Sequence, residues 1–283
     1  HPTYRFNFDG SWIAEQWLAT RSAEQARKLA RHAGKGRIGM NALYSSFVTG
    51  YPSFEAFVRH LYLSKELQDR YDIPFEFANI TDIPGNSWSV PSVLASAGIR
   101  YFADAANQDR GPLMEYGRWN VRSPFWWEGP DGQRVLTWFS SHYHQLKVLC
   151  GLPPAMESAR GGLPRFLRAY ERVGYVPDAV LMFGTEVENL PTEYDDASFV
   201  ERWNKEFAYP QIITCRFAEF FEYIEKHYAA GLPVVRGEVG AYWGDNAGIF
   251  AWGTARDRGN QARVIGAEAL ATLTAAIDPA LRF

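Results

Sequence analysis

Two acidic residues stand where short apolar runs end. Phe77-Ala-Asn-Ile-Thr-Asp82 closes on a carboxylate before Ile83-Pro84-Gly85-Asn86-Ser87-Trp88. Val180-Leu-Met-Phe-Gly-Thr-Glu186 closes on another, with Glu188 and Asn189 after it. In parallel α/β folds the loops at the C-terminal ends of the strands converge on the ligand. Two acids so placed can act on one bond. Cleavage of a glycosidic bond uses such a pair: one carboxylate attacks or stabilises the oxocarbenium-like centre, and the other protonates the leaving oxygen. The roles require different surroundings, so that one acid stays ionised while the pKa of its partner is raised. For a single strand-end acid, capping a loop or helix is the simpler role; two on separate apolar runs favour chemistry.

Other residues are placed to line such a site. Asp9 ends an early strand-like run, to orient a hydroxyl or to cap the following helix. Trp88 follows the Asp82 turn, and Trp243, Asp245 and Asn246 follow a late strand-like run. Trp126 and Trp127 point to opposite faces if extended, so at most one meets a ligand. His142, Tyr143 and His144 form a contiguous group. Two histidines at i and i+2 share a face only on extended backbone, which favours ligand contact or loop packing over metal binding. The chain is 16% aromatic, with ten Trp, fifteen Tyr and nineteen Phe. Flat aromatic faces stack on sugar rings, although an aromatic core is the commoner use.

Positioning these groups needs alternating β and α elements. Strands are expected at Tyr4–Phe8, Arg37–Leu43, Phe75–Asp82, Arg100–Ala103, Val135–Phe139, Ala179–Gly184, Gln211–Thr214 and Val234–Glu238. Helical patterns lie between them, a signature of βα units. Ser22 followed by Gln25 reads as a capping box, and Ser53 caps another helix that Tyr71-Asp72-Ile73-Pro74 breaks. Later helices are expected at about 163–173, 196–207, 216–228 and 255–276. Gly129-Pro130-Asp131-Gly132 reads as the turn of a small hairpin between Trp127 and Val135. No Gly-rich phosphate fingerprint follows the first strand, which argues against a dinucleotide-binding sheet.

The 283 residues are 47% hydrophobic, enough for one large core or two small ones. A net charge of −3 gives no basic footprint for nucleic acid or an anionic membrane. No run of about 18 apolar residues marks a membrane span. Cys150 and Cys215 read as two free thiols. No leader pattern precedes the first strand, and a start at His1 reads as a trimmed N-terminus.

At Ala78-Asn-Ile-Thr-Asp-Ile-Pro-Gly-Asn-Ser-Trp88 the chain resembles the family 38 α-mannosidases, where a strand ends in Asp-Pro-Phe-Gly-His-Ser. Further similar segments keep the same order: Phe6–Trp12, Val135–Trp138 with His142–Cys150, Phe183–Glu186, Phe217–Phe221, Leu232–Glu238 and Gly248–Arg263. The resemblance implies a seven- to eight-stranded, mostly parallel β/α barrel of glycoside hydrolase or deacetylase type, incomplete here. Residues 1–253 would be a catalytic barrel domain lacking its first strand, and 254–283 the start of a linking helical region. It further implies a retaining α-mannosidase-type hydrolase acting on glycans or oligosaccharides. Asp82 would be the nucleophile and a zinc ligand, and Glu186 the acid/base. The remaining zinc ligands would come from a His-x-Asp pair before His1 and a His in a helical domain beyond Phe283. The zinc site would thus be incomplete and the isolated fragment inactive, with the missing helical domain of the same polypeptide as its partner. Asp-Ile-Pro-Gly replaces the family's Asp-Pro-Phe-Gly, and Glu186 replaces an Asp. Two rival readings are a metal-dependent carbohydrate deacetylase, which requires His142 or His144 near Asp82, and a non-catalytic sugar-binding relative.

Overall fold

A computed structural model describes residues 2–83, 85–106, 119–184, 196–239 and 242–281. The capping box forms as the sequence requires: Ser22 Oγ accepts from the Gln25 N–H at 3.3 Å, and the Gln25 amide oxygen accepts from the Ser22 N–H at 3.1 Å. Two of the orphan donors at the start of α2 (Ala23–Gly34) are thereby satisfied. Before it lie β1 (Phe6–Asn7) and α1 (Ser11–Ala19), and after it β2 (Ile38–Gly39). Ser53 caps α3 (Phe54–Arg59) through the Ala56 N–H. Next come α4 (Tyr62–Tyr71), β3 (Phe77–Thr81), α5 (Val90–Ser96) and β4 (Tyr101–Ala105).

After α6 (Trp119–Arg122), the hairpin is formed by β5 (Phe125–Glu128) and β6 (Arg134–Ser140), paired antiparallel. Gly132 in its turn has φ +82°, a conformation that glycine adopts without strain. The chain continues through α7 (Gln145–Cys150), α8 (Met156–Glu171), α9 (Asp196–Glu206), α10 (Phe217–Tyr228), β7 (Val234–Arg236), α11 (Asp245–Ile249) and α12 (Ala251–Ile277). At Gly162 a Cβ would fall 1.9 Å from the Leu149 carbonyl oxygen, so only glycine lets α8 pass this close to α7.

Parallel pairing dominates. The five-stranded sheet has the order β3-β4-β6-β5-β7, and β1-β2 join it through a parallel bridge between Asn41 and Phe77. Period-two alternation gives the large sheet two apolar faces. Ala78, Ile80, Phe102, Val135, Phe139 and Trp127 pack with Val90, Val93 and Leu94 of α5. Phe77, Tyr101, Ala103, Leu136 and Trp138 pack with Phe217, Phe220, Phe221 and Ile224 of α10. A third cluster joins α7, α8 and α9 around Leu149, Leu163, Phe199 and Trp203.

Two expected strands differ from the sequence reading. Ala179–Gly184 and Gln211–Thr214 form no strand and belong to no ladder among the described residues. Side-chain amides occupy the positions that strand neighbours would take. Gln145 Oε1 accepts from the Phe183 N–H at 2.9 Å. Asn204 both accepts from the Ile212 N–H at 2.8 Å and donates to its carbonyl at 2.7 Å. The described residues therefore form a mixed α/β fold with parallel sheets, and their strands do not close into a ring. Cys150 and Cys215 are free thiols. No helix among the described residues is long and apolar enough to cross a membrane.

Candidate active site at the strand ends

Asp82 leaves β3 with φ +67°, in the left-handed region that few non-glycine residues occupy. Its backbone N–H donates to the Ala105 carbonyl at 2.8 Å, which pins the turn to the end of β4. The residue is half-buried, and one carboxyl oxygen is shielded from solvent. Strain of about 1–3 kcal/mol at such a position persists where surrounding bonds over-determine it.

Those bonds can be traced. Asn41, fully buried two residues past β2, donates to the Asp9 carbonyl at 2.6 Å and the Asn79 carbonyl at 2.7 Å. Its oxygen accepts from the Asn79 N–H at 3.0 Å and the Leu43 N–H at 3.1 Å. Asp9 Oδ1 accepts from Thr81 Oγ1 at 2.6 Å and Asn79 Nδ2 at 2.9 Å. The ends of β1, β2 and β3 are thus latched together beside Asp82. Asp9 keeps solvent access, yet the atoms packed round its carboxyl raise its pKa by desolvation, against the two hydrogen bonds that lower it.

On the other face of the sheet, Asp104 of β4 is fully buried and accepts from Asn86 Nδ2. Burial pushes its pKa up to about 8; the Asn86 bond lowers it, and the charge of Asp82 raises it further. Asn86 exchanges two backbone hydrogen bonds of 3.0 Å with Val239. Thr49 fastens the same loop, accepting from the Ser87 N–H at 2.7 Å and donating to the Gly85 carbonyl at 3.3 Å.

The lattice continues across the strand ends. The Ala106 N–H donates to the Ser140 carbonyl at 3.2 Å, Ser140 Oγ donates to Gln145 Oε1 at 3.3 Å, and Gln145 Oε1 also accepts from the Phe183 N–H. Glu186 itself, with Glu188 and Asn189, lies outside the described residues.

The other candidates are placed as follows. The His142 and Tyr143 rings stack, the His144 ring meets Tyr143 edge-on, and His142 Nδ1 accepts from the His144 N–H at 2.9 Å. Tyr143 is buried. Trp88 is 40% exposed and donates its indole N–H to the Glu128 carbonyl at 2.8 Å. Trp126 is half-buried and donates to the Ala229 carbonyl, whereas Trp127, on the opposite face, is fully buried and donates to the Gly237 carbonyl. The Trp243 carbonyl accepts from Tyr51 at 2.7 Å, and Asp245 is exposed at the start of α11.

Among the described residues, no group of three His, Cys, Asp or Glu side chains could hold a metal. Asp9 and Asp104 are the carboxyls placed beside Asp82, among amide and hydroxyl groups, and they form no metal-holding group with it, so the described residues alone do not complete a zinc site. Asp104, Asn41, Asn79, Thr81 and Asn86 were not singled out from sequence. The available signal was a polar residue inside an apolar run, as in Tyr101-Phe-Ala-Asp-Ala-Ala106 and Gly39-Met-Asn-Ala-Leu43.

The fold resembles those of known proteins. An α-mannosidase from Enterococcus faecalis V583 superposes with a TM-score of 0.66 at 20% identity, covering 84% of this chain and 26% of that one. A protein in the glycosyl hydrolase family 38 from Enterococcus faecalis gives 0.57 at 17% identity, covering 83% and 24%. A 4-alpha-glucanotransferase from Thermococcus litoralis gives 0.52 at 15% identity, covering 86% and 36%. The chain thus spans about a quarter of the length of the two Enterococcus proteins. No curated protein matches it. Residues 1–251 match the glycosyl hydrolases family 38 N-terminal domain, and the chain belongs to that family.

Proposed function

We propose that this chain is the catalytic α/β domain of a retaining, α-mannosidase-type glycoside hydrolase acting on glycans or oligosaccharides. Asp82 attacks the anomeric carbon and forms a glycosyl ester while Glu186 protonates the departing oxygen. Glu186 then takes a proton from the water that opens the ester. Asp9, an exposed residue whose carboxyl is held by Thr81 and Asn79, receives a sugar hydroxyl.

The observation that carries the reading is the run of hydrogen bonds along the strand ends. It leads from Asp82 to Ala105 and from Ala106 through Ser140 and Gln145 to Phe183, three residues before Glu186. The barrel form and the zinc of the family belong to the same proposal, the metal being completed by residues outside the described set. The deacetylase reading gains no observation, since His142 and His144 join no metal-holding group with Asp82 among the described residues.

The test is hydrolysis of an aryl α-mannoside by the intact protein, with the first-formed sugar anomer read by NMR. Retention is expected, together with loss of turnover in Glu186→Gln that is partly restored for substrates with good leaving groups. An inverted product, or an unimpaired Glu186→Gln variant, would overturn the assignment.

A further inference from the structure

Asp104 and Asn86 leave a matched pair of atoms unused. Asn86 Nδ2 donates to Asp104 Oδ2. Asp104 Oδ1 and Asn86 Oδ1 are both buried acceptors without a hydrogen-bond donor among the described residues. Burying an acceptor without a donor is unfavourable, and here two occur in side chains already in contact. One proton removes both vacancies: carried on Asp104 Oδ1, it gives Asn86 Oδ1 its donor and closes a two-point acid–amide pair.

We propose that Asp104 is a positioning residue for Asp82, holding a proton and binding the Asn86 side chain at two points so that the loop leaving Asp82 keeps its course. The proposal rests on the reading of Asp82 as the reacting carboxylate. Asn86 lies four residues beyond Asp82 and is bridged by its backbone to Val239, ahead of Trp243 and Asp245. Asp104 therefore sits under the junction of two loops at the candidate site.

Its surroundings favour the neutral acid. In register, β3 and β6 place Ile80 and Phe139 beside it, and α5 brings Val90, Val93 and Leu94 to that face. Burial is the main cause that pushes its pKa up to about 8; the Asn86 bond opposes it, and the charge of Asp82 adds a smaller push upward. A proton kept on Asp104 also spares Asp82 a second negative charge nearby, which leaves Asp82 free to stay ionised.

Three measurements on the full chain test this, using wild type, Asp104→Asn and Asp104→Leu. With aspartate carboxyl carbons labelled, the resonance that disappears in Asp104→Asn is expected at the protonated position at pH 6, moving only near pH 8; titration below pH 5 would overturn the proposal. Hydrogen exchange at the Asn86 and Val239 amides should match wild type in Asp104→Asn, whose amide reproduces the two-point pair. It should rise about tenfold or more in Asp104→Leu; equally fast exchange in both variants would overturn it. In turnover, Asp104→Asn should keep kcat within about threefold and Asp104→Leu lose at least about tenfold. An unchanged kcat in Asp104→Leu would remove the positioning role. If wild type itself does not turn over, the hydrolase reading fails, while the resonance and exchange still decide Asp104. The resonance needs no folded Leu variant.

Discussion

Asp9 and Asp104 lie on opposite faces of the same strand ends, and desolvation raises the pKa of both. Their surroundings otherwise differ. Asp9 is held by a hydroxyl and an amide within a polar latch and retains solvent access. Asp104 is sealed among apolar side chains with one amide for company. A carboxyl of the first kind can meet a ligand. One of the second kind can only shape what lies above it. Asp82, between them, takes its backbone conformation from both sides.

The comparison can be broken most severely at Asp82. Asp82→Asn should lower turnover by on the order of 10³-fold or more, as expected for loss of a nucleophile, without lowering the unfolding midpoint. A variant with near-normal rates would detach the strand-end acid from the chemistry. Next in size, Asn41→Leu removes four hydrogen bonds from a fully buried amide on the Asp9 side. It should cost about 2–4 kcal/mol in urea unfolding. A loss well under 1 kcal/mol would show that the latch is dispensable.

The Asp104 side is sharpened by pH. A carboxyl whose folded pKa lies above its unfolded value binds its proton more tightly when folded. Its contribution is therefore fully present below about pH 4 and is lost as pH rises toward 8. Asp104→Asn should flatten that decline, so that variant and wild type differ more at pH 8 than at pH 5 in thermal unfolding. Parallel curves would contradict the account. The smallest effect is expected at Arg59, whose bridges to Glu55 and Glu268 are exposed. Arg59→Ala should leave both turnover and the unfolding midpoint nearly unchanged, since exposed pairs contribute little. A large loss would place weight on α12 that the two-face comparison does not assign.

Sequence reading located these features unevenly. Period-two apolar runs with terminal acids exposed β3 and Asp82, and Ser22 with Gln25 marked a helix start that the structure reproduces. The hairpin was legible from its Gly and Pro turn. Ala179–Gly184 and Gln211–Thr214 have strand-like composition but find their partners in Gln145 and Asn204, side chains 38 and 8 residues away from the groups they bond. No local pattern reports such a substitution. The same holds for Asp9 and Asp104, since both are acids near strand ends and only the tertiary face distinguishes them. Trp126 and Trp127 show the converse: strand alternation correctly sends them to opposite faces, yet both indoles are spent on backbone carbonyls.

The most direct test of the central claim is covalent trapping. The intact protein would be incubated with a fluorinated mannosyl fluoride that forms the glycosyl ester faster than water opens it, then digested and sequenced by mass spectrometry. The account predicts one added sugar on the peptide containing Asp82, absent in Asp82→Asn. A sugar on another carboxylate, or turnover with no covalent adduct, would contradict it.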